Sequence, residues 1–473
     1  MKPFPLPWVW RSQPLKGRSG SAIFAALFQH HTIATLLESP GQASTLPHSR
    51  YSICAGPPRS QNQHLWTPPL GQVLAWVQDQ FQSCVLPNPT LDLPPDLPFI
   101  GGYLGWFGYD LAWEIEHLPW QKTDRLPFPV AYWYEPESFA VLDHQQQRLW
   151  LAASSRDSLQ TLELRLEQAL SAQVDHSPFI PEITLCTPQS VYEAMVRQAQ
   201  THIRAGDIFQ ANLSLRFGTQ GEIHPWSLYR RLQTINPSPF SSYWQTPWGA
   251  VVSCSPERLV QVQGQQVQTR PIAGTRARGA TPSQDQHLSQ ELLQNAKERA
   301  EHTMLVDLER NDLGRVCQWG SVEVDELLVI ERYSHVMHLV SNVRGTLKPD
   351  WSPSDLLRAV FPGGTITGCP KVRCMEIIET LEPVRRSLFY GSCGYFDYRG
   401  HLDLNILIRT LLIVPESCEA RAQLANMAIP AQVWGQVGAG IVADSHPTQE
   451  WQESLHKAQA QLAALGNLVA PGC

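Results

Sequence analysis

The chain has 473 residues, more than the roughly 250–300 at which a single hydrophobic core usually stops growing. We therefore expect two domains or one large double-layered unit. Its composition, 43% hydrophobic and 17% charged, is typical of a globular protein and excludes a mainly disordered chain. The formal net charge of -7 is spread without acidic or basic blocks, which argues against a nucleic-acid partner and against a polybasic membrane anchor.

The amino-terminal segment and the cysteines bear on location. Prolines interrupt MKPFPLPWVW, where a signal peptide needs a continuous apolar stretch, and no run reaches the roughly 18 apolar residues of a membrane helix. The ten cysteines include no C-x-x-C pair, and a chain of this size needs no disulfide staples. We expect a cytoplasmic protein with reduced thiols.

The first part of the chain reads as short strands. Apolar runs broken by Gly and Pro include FIGGYLGWFGYDLAW, and SFAVLDHQQQRLWLAA predicts two strands joined by a polar turn. Composition changes between Leu170 and Pro188. We place a boundary there, between a first domain over residues 1–180 and a second over 181–465.

The second part mixes helices with strands. Ser190 is the predicted cap of a helix in which Val191, Met195 and Ala199 share a face, and Gly206 suits its left-handed end. Further helices are predicted over about 289–307 and 448–465, and strands over 248–255, 388–398, 401–414 and 431–444. Hairpins with segregated helices indicate an α+β architecture rather than a wound parallel sheet.

Two helices carry paired carboxylates. Glu298 and Glu301 are three residues apart and share a helix face, and Glu450 and Glu453 repeat that spacing. Either pair alone is more often a solvated surface. If the four converge, such close like charges need a cation, and all-oxygen ligands favour Mg²⁺. Lys457 is then an ion-pair partner or a ligand for a substrate carboxylate.

Glycines and two isolated polar residues are the remaining candidates. The segment GQVGAGIVADS can expose backbone amides of Gly438 and Gly440 to an anion, but neither it nor FPGGTITGCPK fits a nucleotide-binding motif. Arg409, a cation inside the apolar run NILIRTLLI, indicates a paired residue in a closed site. His338 is either a general acid or base or a satisfied core histidine.

Several long motifs follow one another in one order: PIAGTRARG, AKERAEHTMLVDLERNDLGRV, VMHLVSN, FPGGTITGCPKVRCMEIIE, ILIRT and GAGIVADS. Together they resemble the chorismate-utilising enzyme family, from Pro188 to about Leu465. The segments LLES, RYS and GGYLGWFGYD are similar to the amino-terminal domain of that family's synthases, so the resemblance spans nearly the full chain. It implies a large α+β sandwich of antiparallel β-sheets flanked by helices, like anthranilate synthase component I, with chorismate and magnesium in a cleft.

The resemblance assigns roles to the matching positions. The residues it implies around magnesium are Glu298, Glu301, Glu450 and Glu453. Those it implies along the substrate are Thr275, Ala273, Tyr395, Arg409, Gly438, Ala439, Gly440 and Lys457. Thr365 and His338 would be catalytic, with His338 beside the ring carboxylate or the departing 4-hydroxyl.

Gln210 indicates which nucleophile the enzyme uses. It stands where the isochorismate and salicylate synthases of this family carry a lysine that activates water, and a neutral amide cannot serve as that base. We therefore expect ammonia as the nucleophile. Because the chain lacks G-x-C-x-G, it has no glutaminase cysteine of its own, and we expect a separate glutamine amidotransferase subunit as partner.

Two amination products are consistent with the family. The segments GGYLGWFGYDL, NPSPFSSYW and FPGGTITGCPK are more similar to aminodeoxychorismate synthase component I, of 4-aminobenzoate and folate synthesis, than to anthranilate synthase component I. Against this stands Ala273, because the best-known aminodeoxychorismate synthases carry there a lysine thought to add to chorismate. The expected function is aminodeoxychorismate synthesis, with anthranilate synthesis as the alternative.

The resemblance also implies a second ligand. Ser39, Pro239 and Phe240 match elements that bind tryptophan in relatives, either as an inhibitor or as a structural ligand. Two other functions are alternatives: a non-catalytic chorismate- or tryptophan-binding relative, and an isomerase that uses water. Gln210 argues against the isomerase, and the retained glutamates, His338 and Arg409 argue against a non-catalytic protein.

Overall fold

The computed structural model describes residues 8–39, 49–59, 65–82, 93–168, 182–333, 336–425 and 427–466. Its helices are α1 (Gly20–Leu27), α2 (Val73–Gln82), α3 (Ala112–Ile115), α4 (Arg156–Gln168), α5 (Gln189–Arg204), α6 (Pro225–Ile235), α7 (Pro282–Gln294), α8 (Ala296–Gly314), α9 (Pro353–Val360), α10 (Lys371–Leu381), α11 (Cys418–Gln423) and α12 (Pro447–Ala464).

The strands are β1 (Val9–Pro14), β2 (Ala34–Glu38), β3 (Tyr51–Ala55), β4 (Gly102–Phe107), β5 (Ala131–Tyr134), β6 (Ser138–Asp143), β7 (Arg148–Ala153), β8 (Thr184–Leu185), β9 (Gln210–Ile223), β10 (Phe240–Thr246), β11 (Gly249–Ser255), β12 (Arg258–Gln263), β13 (Gln266–Thr269), β14 (Ile272–Ala277), β15 (Glu323–Arg332), β16 (Val336–Thr346), β17 (Gly368–Cys369), β18 (Ser392–Asp397), β19 (Leu402–Asn405), β20 (Thr410–Pro415) and β21 (Ile429–Ile441).

Two antiparallel sheets form the frame. Among the described residues, the larger has twelve strands in the order β1-β7-β6-β3-β2-β10-β11-β20-β21-β9-β17, with β8 also on β9. The smaller has nine, in the order β14-β16-β13-β12-β19-β18-β4-β5, with β15 on β16. One core lies between the sheets, and a second lies between the larger sheet and helices that include α1, α5 and α12. This arrangement is a sandwich flanked by helices.

Strand β11 shows why its sequence is apolar on both faces. Ala250 and Val252 belong to the core against the helices, whereas Val251 belongs to the core between the sheets. Successive side chains of a strand point to opposite faces, so a strand covered on both sides needs a continuous apolar run. The larger sheet is therefore the middle layer of the fold.

Both sheets combine strands from before and after the predicted domain boundary. In the larger sheet Leu36 of β2 is opposite Tyr243 of β10, and in the smaller sheet Trp106 of β4 is opposite Cys393 of β18. The predicted boundary near residue 180 lies outside the described residues. The division into 1–180 and 181–465 stays a prediction about chain organisation. Strands from the two sides of this boundary are hydrogen-bonded to each other in both sheets.

Several predicted elements need correction. The helix expected over 289–307 is two helices, because Asn295 caps a new one by accepting from the Glu298 amide. The cap of α5 is Pro188 rather than Ser190, and Val191 on that helix is exposed. The strand expected over 401–414 is interrupted between β19 and β20. By contrast, the hairpin β6–β7 and helix α12 are confirmed.

Two expectations concern the chain as a whole. Within the described ranges, none of the helices combines the length and the hydropathy needed to cross a bilayer. The eight cysteines in the same ranges are free thiols. Cys84 and Cys473 lie outside the described residues.

A core substitution tests the pairing of β2 with the middle of the larger sheet. Leu36 is fully buried, so Leu36→Ala should lower the free energy of unfolding by about 2–5 kcal/mol. Leu164 on α4 is 49% exposed, and Leu164→Ala should change it by less than about 0.5 kcal/mol. Urea unfolding followed by tryptophan fluorescence measures both. Equal effects of the two substitutions would contradict the described packing.

Candidate active site

Strand β21 pairs with β9 along its whole length and then leads into α12. The register places Gly440 opposite Asn212 and Gly438 opposite Ser214. A Cβ atom on Gly440 would overlap the Gln210 side chain and lie 3.1 Å from Glu301 Oε1. Glycine at this position therefore lets the Gln210 side chain and the Glu301 carboxylate come close to the β21 backbone. The predicted glycine cluster lies beside the α8 glutamates.

The glutamates of α8 and α12 lie in one region. Glu301 Oε1 accepts a hydrogen bond from Gln210 Nε2 at 2.9 Å. Burial raises the pKa of Glu301, and the positive charge of Lys457 on α12 opposes this rise. Glu450 is 4% exposed, and burial likewise raises its pKa, which Lys297 of α8 opposes. Lys457 of α12 thus acts on a carboxylate of α8, and Lys297 of α8 acts on a carboxylate of α12. The two helices therefore lie close together.

Each of the other two glutamates has a cationic partner. Glu298 Oε1 lies 3.3 Å from Arg276 Nη1, and Glu453 Oε1 lies 2.9 Å from Lys457 Nζ. Lys457 Nζ also donates to the backbone oxygen of Gly438 at 3.1 Å. This ammonium therefore joins α12 to the glycine-bearing strand while it forms an ion pair with Glu453.

The same carboxylates fit a magnesium ion in chemistry. In the part of the chain that the structure describes, no three His, Cys, Asp or Glu side chains are close enough to hold a metal ion. Magnesium keeps several water ligands and often uses one or two protein carboxylates together with its substrate. Glu301 and Glu450, whose burial disfavours the charged form, would hold such an ion, with Glu298 and Glu453 around them.

Arg409 lies in the interruption between β19 and β20, not inside a strand as the sequence suggested. Its φ of 49° is unusual for a non-glycine residue. Arg409 Nη1 donates to Asn236 Oδ1 at 3.3 Å, and among the described residues it makes no ion pair. Burial lowers its pKa, whereas Cys254 and Glu257 oppose the shift. A carboxylate partner is thus missing among the described residues, and the guanidinium, which is only partly buried, is available to a bound anion.

His338 lies near the start of β16, with Thr275 of β14 opposite on one side. Its Nδ1 is 2.9 Å from Thr275 Oγ1. Burial, reinforced by the positive charge of Arg409, lowers the pKa of His338 to about 3. The imidazole is neutral at physiological pH and cannot be the proton donor there. At neutral pH its chemistry is therefore restricted to hydrogen bonding, because a group with so low a pKa holds an extra proton only weakly.

Strand β14 brings this pair close to Glu298 of α8. Its register against β16 shifts between Ala273 and Thr275, and Gly274 between them has a φ of 70°. A Cβ atom on Gly274 would lie 2.9 Å from Glu298 Oε2. The Thr275–His338 pair and Glu298 therefore lie on two sides of one backbone bulge. Ala273 is 7% exposed beside it.

Glu257, between β11 and β12, is a candidate that the motif reading missed. It is 5% exposed, and burial raises the pKa of its carboxyl to about 7. The Thr365 hydroxyl, the Ile272 amide and the charges of Arg409 and Lys457 oppose this rise. The sequence signal was available, because SCSPERLV places a carboxylate in a two-residue connection between two buried strands. Burial therefore favours the protonated carboxyl near neutral pH, and this carboxyl lies close to Arg409 and Lys457.

Two predicted substrate residues are placed differently. The side chain of Ala439 lies in the core against the helices, so this residue offers only its backbone on the other face of β21. Tyr395 lies 5.7 Å from Phe99, ring centroid to ring centroid, and lines a separate cavity of about 460 Å³ between the sheets. The structure does not bring Tyr395 to the glutamate cluster. In the smaller sheet, four strands separate β18, which carries Tyr395, from β14, which lies beside Glu298.

That cavity contains part of the expected tryptophan-type site. Its lining includes Glu38, Tyr51, Pro239, Phe240, Arg258, Arg270, Tyr395 and Asn405. Ser39 is buried next to Glu38 but does not itself line the cavity. The volume of about 460 Å³ lies within the roughly 300–1,000 Å³ of small-molecule pockets. Pro239 and Phe240 are therefore at a ligand-sized cavity.

A family model described as chorismate binding enzyme matches residues 36–463. The chain belongs to the chorismate-binding enzyme family, as the motifs indicated. It is 59% identical to an anthranilate synthase component I-like protein of Synechocystis sp., over 98% of this chain and 93% of that protein. It is 44% identical both to aminodeoxychorismate synthase component 1 of Bacillus subtilis, over 78% of this chain and 77% of that protein, and to anthranilate synthase component 1 of Thermus thermophilus, over 79% and 80%.

A solved structure confirms the fold class. Anthranilate synthase component I from Streptococcus pneumoniae TIGR4 matches with a TM-score of 0.73 at 31% identity, covering 90% of this chain and 95% of that chain. The chain has the mixed helical and antiparallel-sheet fold of that protein. It is a chorismate-utilising enzyme of the type to which the anthranilate and aminodeoxychorismate synthases belong.

The lowered pKa of His338 predicts a pH-dependent loss of stability. Its folded-state pKa of about 3 lies below the ordinary 6.5, so the unfolded chain binds the extra proton and stability falls as pH drops below 6.5. His338→Gln should reduce that fall by up to about 1.4 kcal/mol per pH unit between roughly pH 6 and 4. Urea unfolding over this range measures it, with exposed His287→Gln as the control. Parallel curves for all three proteins would show that His338 is not buried uncharged.

Proposed function

We propose that the chain is an aminodeoxychorismate synthase component I, which converts chorismate and ammonia to 4-amino-4-deoxychorismate for 4-aminobenzoate and folate synthesis. The observation that carries the proposal is the amide of Gln210 in the cleft, bonded to Glu301 at 2.9 Å. An amide cannot deprotonate water. Ammonia needs no such base, so amination suits this cleft better than hydration.

The cations and the magnesium site would bind the two carboxylates of chorismate. Arg409, which makes no ion pair among the described residues, would hold one carboxylate. When bound by the α8 and α12 glutamates, Mg²⁺ would neutralise the other. Lys457 lies between Glu453 and the Gly438 carbonyl, where it adds positive charge at the same end of the cleft. The ring would thereby be fixed between α12 and the interruption before β20.

Glu257 would be the general acid. Its carboxyl, with a pKa of about 7, holds a proton near neutral pH and lies close to Arg409 and Thr365. Departure of the 4-hydroxyl requires a proton, because hydroxide is a poor leaving group. His338, neutral and hydrogen-bonded to Thr275, would orient the substrate. Division of roles between a protonated carboxyl and a neutral imidazole follows from their opposite pKa shifts.

The choice of product rests on motif resemblance and on one opposing residue. The relatives include both synthases at 44% identity, so identity does not decide. The NPSPF and FPGGTITGCPK segments support aminodeoxychorismate. Ala273, 7% exposed on β14, offers no amine to add to the ring, so ammonia would attack without a lysine adduct. The same alanine favours the second candidate, anthranilate synthase component I.

The proposal includes two further molecules. The chain would receive ammonia from a glutamine amidotransferase subunit, because its sequence has no G-x-C-x-G element. The cavity beside Pro239 and Phe240 would take a tryptophan-like ligand. Glu38, which lines it, is already engaged by Tyr229 and by the Ser21 amide, so the charge available to an amino-acid ligand comes from other lining residues.

Product analysis tests the proposed function directly. The purified chain is incubated with chorismate, magnesium and ammonium at mildly alkaline pH, with and without an aminodeoxychorismate lyase, and products are identified by mass and fluorescence. We expect 4-aminobenzoate in the presence of the lyase and an aminated, pyruvate-retaining product without it.

Other outcomes are equally informative. Anthranilate and pyruvate without the lyase would establish the second candidate and show that the loop resemblances misled. Isochorismate would contradict the reading of Gln210, and no consumption of chorismate would favour the non-catalytic alternative. Omission of magnesium should abolish turnover if the glutamates act as proposed.

A further inference from the structure

Glu309 of α8 is a second buried carboxyl whose position bears on Glu257. It follows Glu301 by roughly two helical turns, which is about 12 Å along the helix axis, so it is not one of the glutamates assigned to magnesium. Glu309 is 7% exposed and Glu257 is 5% exposed. Acidic side chains are rarely buried so completely unless they are paired. The proposed function gives Glu309 no role.

The connection between β13 and β14 touches both carboxyls. The Thr269 hydroxyl, at the end of β13, interacts with the Glu309 carboxyl. The Ile272 amide, at the start of β14, interacts with the Glu257 carboxyl. Residues three apart in a chain are separated by at most about 10 Å. The two carboxyls therefore flank one short stretch of backbone.

The turn after α9 gives a second and independent estimate of their separation. A Cβ atom on Gly364 would lie 3.9 Å from Glu309 Oε1. The next residue, Thr365, interacts through its hydroxyl with the Glu257 carboxyl. Consecutive Cα atoms are about 3.8 Å apart. This turn also requires the carboxyls of Glu257 and Glu309 to lie close together.

Two hydroxyls border the carboxyls. The Oγ1 atoms of Thr269 and Thr365 are buried, and within the described residues neither makes a hydrogen bond of ordinary geometry. A hydroxyl can donate or accept, and its proton rotates to suit its surroundings. Each hydroxyl can therefore adjust to a neighbouring carboxyl that gains or loses a proton, without movement of the backbone.

The charges around Glu309 keep its carboxyl protonated. Burial raises the pKa of Glu309 to about 8, the negative charges of Asp312 and Glu257 add to this rise, and the positive charge of Lys371 opposes it. Lys371 Nζ donates to Asp312 Oδ2 at 2.7 Å, so its charge is directed mainly at that neighbour. Glu309 is left as the carboxyl of this group without a cation of its own.

Glu257 instead faces the cations of the cleft. The charges of Arg409 and Lys457 oppose the effect of burial, and the pKa of Glu257 is about 7. This value is lower than the pKa of about 8 for Glu309. When two carboxyls interact, their protons leave in two steps that belong to the pair. Between these values the pair holds one proton, which stays mainly on Glu309.

We infer that Glu309 is a proton store for Glu257. The inference rests on the proposed function, in which Glu257 protonates the departing 4-hydroxyl. Glu309 does not touch the substrate. It acts through Glu257, by returning to that carboxylate the proton that each turnover removes.

The atoms and charges of this cycle balance. The ammonia lone pair forms the C–N bond, the C4–O bond breaks with its electron pair on oxygen, and the Glu257 proton converts the leaving hydroxide to water. The O–H bond of Glu309 then breaks, its electron pair stays on Glu309, and the proton binds the Glu257 carboxylate. Glu309 takes a proton from solvent. The net reaction consumes chorismate, ammonia and one proton, and it releases water and the product as an ammonium ion.

The pH dependence of Glu309→Gln tests the inference. Glutamine matches the size and neutral charge of the protonated carboxyl but has no acidic proton to give. At constant free ammonia, its rate should equal the wild-type rate within about twofold at about pH 6, and be lower by about threefold or more at about pH 8.5, where Glu309 holds the remaining proton. Glu309→Asp, which keeps an acid, should restore most of that loss. Initial rates of the full chain with magnesium and saturating chorismate measure these ratios.

Infrared spectroscopy tests the interaction of the two carboxyls without turnover. The band of the protonated Glu309 carboxyl is the difference between wild type and Glu309→Gln, and it should disappear with a midpoint at about pH 8. The same difference, measured in a Glu257→Gln background, should have a lower midpoint, because the negative charge of Glu257 no longer raises the pKa of Glu309.

A matched control is a buried carboxyl in the first part of the chain. Glu135 is 6% exposed and lies 2.6 Å from Arg59 Nη1. Glu135→Gln removes this carboxyl and should leave the pH dependence of the rate unchanged. If Glu309→Gln does not fold, Glu309→Met, which has a similar length, replaces it in both measurements with the same expected results.

A ratio of wild-type to Glu309→Gln rates that is the same at both pH values would overturn the inference. So would a midpoint for Glu309 that Glu257→Gln leaves unchanged, because the two carboxyls would then not interact. Failure of the proposed function is a separate result, in which the wild type consumes no chorismate at any pH.

Discussion

The antiparallel pairing of β9 with β21 is the constraint on which the cleft depends. Its register sets Gln210 and Asn212 against two glycines, and the same strand β21 leads into the helix that carries Glu450. A slip of one residue would turn these groups to the opposite face, into the core against the helices. The thirteen-residue length of β21 and the apolar residues on its other face hold the register. Packing on one face of β21 thus fixes the register that positions the polar groups on the other face.

Within this frame, the cleft holds charges that the fold itself leaves incompletely neutralised. Arg409 has no ion pair among the described residues, and burial keeps Glu257 close to half-protonated. Burying such groups costs stability unless something compensates. A dianionic substrate with a divalent cation would supply that compensation. The neutral state of His338 follows mainly from its burial, and the positive charge of Arg409 reinforces it.

Local sequence patterns predict those features of the fold and the site that depend on a single helix or strand. The Glu450 helix and the α+β class were predicted from periodicity and turn residues, and are confirmed. The break at Asn295 was missed because a capping side chain outweighed a continuous helical pattern. Tyr395 was misplaced and Glu257 overlooked, since each depends on which sheet its strand joins. Strand order is a long-range property that no local window contains.

The most direct test of the account is the pH dependence of chorismate amination by wild-type protein and by Glu257→Gln, measured at a constant concentration of free ammonia. The wild-type rate should fall as pH rises through the pKa of Glu257, which burial raises to about 7 in the free protein. Glu257→Gln should be slower by about 10²-fold or more and lack this limb. A variant with the wild-type rate and pH profile would contradict the assignment of this cleft as the site of reaction.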